Sequence, residues 1–220
     1  MGAAGGHHNE RAGSPSLLSG AFFGIIFFMN LYLLNCQTIQ PYSDRILPLL
    51  PKQRQNDYAR SRSSLSLGAG LLLSSLLGVH TDEDLSIGPY GKPSLAAGAP
   101  TFSLSHSRDH VLLGISDRPI GVDMESSDRQ VPPPVQRRMC LPQEKCSDPL
   151  QVFTRKECAM KLTGLGFSLP LQQIDTTADL RWNDGVFHFY TTEKKGFVIS
   201  VLTAEEALSY IQLLTPEELL

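Results

Sequence analysis

At 220 residues, with 41% hydrophobic and 19% charged side chains, the chain has the make-up of an ordinary globular protein rather than a disordered or fibrous one. A formal net charge of -3 supplies no general attraction for nucleic acid, so any phosphate recognition must be local. Four cysteines, Cys36, Cys140, Cys146 and Cys158, lack CxxC spacing and a nearby histidine pair, which argues against a zinc site or a disulfide framework and for a reducing, cytoplasmic setting.

In chain order, the first feature is Leu17 to Leu34, an apolar stretch broken by Ser19, Gly20, Gly24 and Asn30. Only Arg11 precedes it as a fixed positive charge, no small-residue cleavage site follows cleanly, and the breaks weaken a span that needs about 20 predominantly apolar residues. Residues 1–28 are therefore expected to be a non-native or misassigned extension, with Met29 the natural start and no membrane association. Met29 to Leu34 predicts a first strand. Ile46 to Asp57 and the leucine- and glycine-rich Ser64 to Leu77 predict two helices, the second largely buried. Thr101 to Leu104, Val111 to Ile115 and Ile120 to Met124 predict short strands, and Ser116-Asp117-Arg118-Pro119 predicts a hairpin between the last two. Pro132-Pro133-Pro134 cannot lie inside a helix, so it starts one or bridges two parts. Asp148 to Thr163 predicts a helix stopped by Gly164 and Gly166. Phe187 to Tyr190 and Gly196 to Leu202 read as a strand pair, and Ser209 to Leu214 as a final strand. This mixed order predicts an α+β fold in two roughly similar halves, 29–118 and 119–220, meeting near Pro119.

The residues with chemical potential fall into a few short groups. Asp123 and Glu125 are two apart at a strand end, so their carboxylates leave one face and can converge on a cation; a solvated acidic strand end is the plainer alternative. Magnesium prefers such a site, with one or two carboxylates and with waters and substrate phosphates completing its octahedron. Glu157 and Lys161 are four apart on a predicted helix, either a base and a phosphate-steadying ammonium or a surface ion pair. Ser105-His106-Ser107 offers phosphate-binding donors or a capped turn. Gly91-Lys92-Pro93 presents one lysine on a tight turn, and Lys52, Arg54, Arg60 and Arg62 form a loose basic group. The sequence contains neither GxxxxGK[ST] nor GxGxxG, so an ordinary ATP or dinucleotide site is not supported.

Taken together, four motifs resemble the Sfp-type 4′-phosphopantetheinyl transferases. They are Gly91-Lys92-Pro93, Phe102-Ser103-Leu104-Ser105-His106-Ser107, Ile120-Gly121-Val122-Asp123-Met124-Glu125, and Phe153-Thr154-Arg155-Lys156-Glu157-Cys158 running through Lys161 to Gly164-Leu165-Gly166. Phe153 stands where that family usually has tryptophan, and Ser103 where asparagine is common. The resemblance implies a pseudo-dimer of two α+β halves with the substrate in the cleft between them. It implies magnesium held by Asp123, Glu125 and Glu157, with Glu157 also the base and Lys161 on the pyrophosphate. Lys92, Ser105 and His106 would contact coenzyme A, with Lys52, Arg54 and either Arg60 or Arg62 as candidates for its 3′-phosphate and adenine.

The implied reaction moves the phosphopantetheine arm of coenzyme A onto a serine of an apo acyl- or peptidyl-carrier protein. Such a carrier is acidic, and Arg129, Arg137, Arg138 and Lys145 lie just beyond the predicted metal strand to meet it. No nucleic acid is expected as a partner, and a monomer suffices. Two other classes stay open: another metal-dependent phosphoryl or nucleotidyl enzyme, and a non-catalytic relative that binds coenzyme A or a carrier.

Overall fold

A computed structural model describes residues 28–220. The expected extension 1–28 therefore falls almost wholly outside the described residues. Met29 itself opens the first strand, β1 (Met29–Asn35). A helical excursion follows: the single turn α1 (Ser43–Ile46), α2 (Lys52–Ser61) and α3 (Ser64–Leu77). The predicted helix over 46–57 is broken at Leu50 and Pro51, which take extended backbone and separate α1 from α2. By contrast α3 has the predicted bounds, because Ser63 accepts from Ser66 N–H as its N-cap and Gly78 closes it in the left-handed region.

A small hairpin, β2 (Leu85–Ile87) with β3 (Pro93–Leu95), leads to β4 (Thr101–Ser107) and β5 (His110–Ser116). The second half runs β6 (Gly121–Ser126), α4 (Pro133–Met139), α5 (Pro149–Thr163), β7 (Leu180–Trp182), β8 (Gly185–Lys194), β9 (Phe197–Thr203) and β10 (Ile211–Leu214). Two four-stranded sheets result, ordered β10-β1-β5-β4 and β6-β9-β8-β7, so the fold is α+β. Each sheet carries the same connection: a strand, a helical excursion, then an antiparallel hairpin whose second strand pairs with the first. Strands β1, β4 and β5 belong to the first sheet and β6 to β9 to the second, and β10 returns to lie parallel to β1.

The predicted hairpin through Ser116 to Pro119 is not formed. β5 and β6 belong to different sheets, and the real hairpin joins β4 to β5 through Arg108 and Asp109, with Arg108 at φ 52°. The apolar flanks of the 116–119 turn signal two buried strands, but strand pairing is decided by non-local packing.

Four layers stack in the order helix, sheet, sheet, helix. The face of the first sheet bearing Leu34, Val111, Leu113 and Ile115 packs on α3 through Leu67, Leu71 and Leu72. Its other face, with Leu31, Leu33 and Leu112, meets Val122, Met124, Ile199 and Val201 of the second sheet. The far face of the second sheet takes α5 through Cys158, Ala159, Leu162 and Leu202. Among the described residues no helix is long and apolar enough to cross a membrane.

Candidate active site

Gly121 sets the distance between β6 and α5. A Cβ there would lie 2.0 Å from the Cys158 carbonyl oxygen and 3.0 Å from Leu162 N, so only glycine lets the helix backbone come this close. Hydroxyls fix the rest of the contact: Thr154 Oγ1 lies 2.7 Å from Ser200 Oγ, which lies 2.9 Å from Thr191 Oγ1, where Arg155 Nε also donates at 2.9 Å. With the helix pinned on the sheet, the face of β6 that carries Asp123 opposes the face of α5 that carries Glu157 and Lys161.

Of the expected magnesium ligands Asp123, Glu125 and Glu157, Asp123 meets Lys161 of α5 directly. Lys161 Nζ donates to Asp123 Oδ1 at 2.7 Å, and Asp123 is 5% exposed. The second oxygen, Asp123 Oδ2, is buried and has no hydrogen-bond partner. Burial, and after it the Asp123 charge, push the Glu157 carboxyl above its ordinary range, against the opposing pull of Lys161 and Arg129.

Glu125 behaves differently. Its Oε1 accepts from Arg129, and its Oε2 accepts from Ser107 Oγ at 3.0 Å. The Arg129 guanidinium also lies 4.6 Å from the centre of the Phe153 ring, which stands at the aromatic position of the helix motif. Among the described residues no three histidine, cysteine, aspartate or glutamate side chains are grouped to hold a metal ion.

Three serines of β4 reach across to β6. Ser103, Ser105 and Ser107 accept from the N–H groups of Val122, Met124 and Ser126 at 3.1, 3.2 and 3.1 Å. Because β6 is an edge strand of its sheet, these amides have no backbone partner there, and the hydroxyls satisfy them. Ser105 Oγ also donates to Asp123 Oδ1 at 2.7 Å. The alternation Ser-x-Ser-x-Ser was a period-two signal for a polar strand face; without knowledge of the second sheet, it gave no reason to expect a partner.

Beside Glu157 and Lys161 opens a cavity of about 250 Å³, walled by Tyr90, Phe102 and Leu104 from the first half and Met160 and Phe167 from the second. Lys92 lines it but is not held out on its turn. Its stem lies over Gly164, and Nζ donates to the Leu162 carbonyl at 3.0 Å, capping the last turn of α5; burial lowers its pKa. The same lysine borders a wider cleft of about 800 Å³ with Thr101, Trp182 and His188.

Of the other expected coenzyme A contacts, Ser105 is buried between the sheets against Asp123, and His106 is exposed beside it. Lys52 and Arg54 lie on α2 and Arg62 just past it, away from the cavity walls; Arg62 sits over the Tyr58 ring, and burial lowers the Arg54 pKa.

Lys156, between Arg155 and Glu157, was not singled out from the sequence and is the most deeply buried charge of α5. It is 1% exposed, pairs with the fully buried Glu144 at 3.0 Å, and donates to the carbonyls of Leu171 and Ile174 at 2.9 and 2.7 Å. In comparisons with known proteins, no protein-family model matches the chain, and neither does any curated protein sequence.

Proposed function

We propose that this chain is a magnesium-dependent 4′-phosphopantetheinyl transferase acting on an apo acyl- or peptidyl-carrier protein, with coenzyme A as donor. The observation that carries the reading is that Lys161, bonded to Asp123, lines with Glu157 a cavity walled by both halves, among the residues of the motif resemblance. The repeated strand–helix–hairpin connection supports a pseudo-dimeric ancestry of the fold.

The donor set fits magnesium. Asp123 Oδ2, buried without a hydrogen-bond partner, could serve a cation as an oxygen ligand, and the Asp123 charge acts on Glu157. Magnesium keeps several waters and takes few protein carboxylates, so a three-carboxylate cage is not required. When bound, it neutralises the charge of the pyrophosphate. Asp123 and Glu157 would hold it, and Glu125 would join once released by Arg129.

The chain's own residues do the rest. The carrier serine oxygen forms a bond to the β-phosphorus of coenzyme A as the bond to the departing adenosine 3′,5′-bisphosphate breaks. Glu157 takes the serine proton at a carboxylate oxygen, and Lys161 meets the phosphate oxygens beside it. Tyr90, Phe102 and Phe167 supply apolar walls to the cavity beside Glu157 and Lys161. A monomer in a cytoplasmic setting meets these needs, with the basic helix α4 and Lys145 available to an acidic carrier.

Intact-mass spectrometry of an apo carrier incubated with the chain, coenzyme A and magnesium tests this. A magnesium-dependent gain of one phosphopantetheine mass is expected, lost in Asp123→Ala and Glu157→Gln. Near-normal transfer in either variant removes that residue from the mechanism. The second reading is a non-catalytic relative that binds coenzyme A or a carrier, favoured by the capture of Glu125 by Arg129 and Ser107. Coenzyme A binding with no mass gain across several carriers would select it.

A further inference from the structure

The two oxygens of Asp123 differ sharply. Oδ1 takes two donors, Ser105 Oγ and Lys161 Nζ, each at 2.7 Å, whereas Oδ2 takes none although it is buried. A buried carboxylate oxygen is normally satisfied, so the orphan marks a missing partner. What keeps the carboxylate in this orientation is the hydroxyl of Ser105. Its oxygen accepts from Met124 N–H, which fixes the side chain against β6 and leaves its proton directed at Oδ1.

Lys161 alone would not achieve this. Its ammonium has three rotatable donors on a long stem and is 28% exposed, so it follows the carboxylate through a rotation. Ser105, 6% exposed and held by a backbone amide, does not. We infer that Ser105 is a positioning residue that presents Asp123 Oδ2 to a divalent cation, and that its hydroxyl, through Asp123, sets the affinity of that site. The inference deepens the magnesium-site reading above and rests on it. It also assigns Ser105 a place different from the coenzyme A contact that the motif resemblance implies.

The neighbouring serines supply the comparison. Ser103 makes the same kind of bond to Val122 N–H, but no hydrogen bond to a carboxylate. Ser103→Ala therefore removes a seam contact without altering Asp123, and Ser105→Ala removes both.

The test is Mn²⁺ binding to the whole chain without coenzyme A, read from the loss of the free-ion electron paramagnetic resonance signal, with thermal melts alongside. Loss of a hydrogen bond that orients a metal ligand typically weakens the metal by about 10–100-fold. Ser105→Ala is expected to weaken Mn²⁺ by at least about tenfold on that scale, and Ser105→Thr to restore it. Ser103→Ala is expected to lower the melting temperature similarly while holding Mn²⁺ as the wild type does. Should Ser105→Ala fail to fold, Ser105→Cys, similar in size and a weaker donor, serves instead, with a smaller loss expected. Wild-type affinity in a folded Ser105→Ala or Ser105→Cys chain overturns the inference, as does equal weakening in Ser103→Ala or absence of Mn²⁺ binding by the wild type. Transfer activity is not the readout: a wild-type chain that binds Mn²⁺ but transfers nothing sinks the transferase reading, while the Ser105 comparison still decides this one.

Discussion

Replacing Gly121 by alanine should move the helix that carries Glu157 and Lys161. The new Cβ would sit 2.0 Å from Cys158 O and 2.9 Å from Cys158 C, where ordinary contact begins at 3.4 Å. Both atoms are helix backbone, so no rotamer change relieves the clash and α5 must retreat by roughly 1.4 Å, the difference between 2.0 and 3.4 Å. Overpacking of this kind costs about 1–3 kcal/mol. The hydroxyl network through Thr154, Ser200 and Thr191 opposes the retreat, which favours the upper part of that range. A displacement of about 1 Å at a reacting group can cost about 100-fold in rate, so transfer should fall further than stability alone explains. Urea unfolding followed by circular dichroism measures the first effect, and carrier mass shift under conditions where the variant is fully folded measures the second. A stability change below about 0.5 kcal/mol, the usual range for an inconsequential surface substitution, would refute the close-approach argument.

Two more expectations concern the buried pair behind the site. Lys156→Met leaves Glu144 buried without its cation and should destabilise the chain by about 3–5 kcal/mol in urea unfolding; a loss under about 1 kcal/mol would place the pair in solvent. Burial raises the Glu144 carboxyl, but the N–H groups of Leu141 and Thr176, Lys156 and the Thr176 hydroxyl outweigh it, so its folded pKa lies below the ordinary value. A depressed folded pKa gives stability that is present above the unfolded value of about 4.3 and is lost as pH falls through the lower folded value. Urea midpoints should therefore drop in that acid window for the wild type and stay flatter for Glu144→Gln, and parallel curves would exclude Glu144 as a source of the acid dependence.

Local signals carried far in this chain where a single element decided its own bounds. Ser63 and Gly78 frame α3, and Asp148 accepting from Leu150 N–H with Gly164 in the left-handed region frames α5, so both helices are legible residue by residue. The i,i+2 spacing of Asp123 and Glu125 and the i,i+4 spacing of Glu157 and Lys161 place each pair on a face, but not the faces against one another. That depended on Gly121, whose role is a distance between two elements. Glu125 shows the same limit, since its spacing matches Asp123 but its oxygens are taken by Arg129 and Ser107. Lys156 reads as solvated in a run of three charged residues, because Glu144, its partner, lies in the preceding segment and meets it only in the folded chain. The strand predicted over Thr101 to Leu104 runs on to Ser107, because Ser105, His106 and Ser107 pair with Leu112, Val111 and His110 of β5 while two of the hydroxyls meet the edge of the other sheet.

The return of β10 to β1 has a consequence for synthesis on the ribosome. Leu31 is made early and Ile211 late, yet they lie side by side, and Leu33 similarly waits for Leu213. Until β10 leaves the exit tunnel, β1 has β5 on one flank and an open row of backbone groups on the other, the kind of edge on which nascent chains associate wrongly. Folding of the first half therefore ends only when nearly all of the second half has been translated.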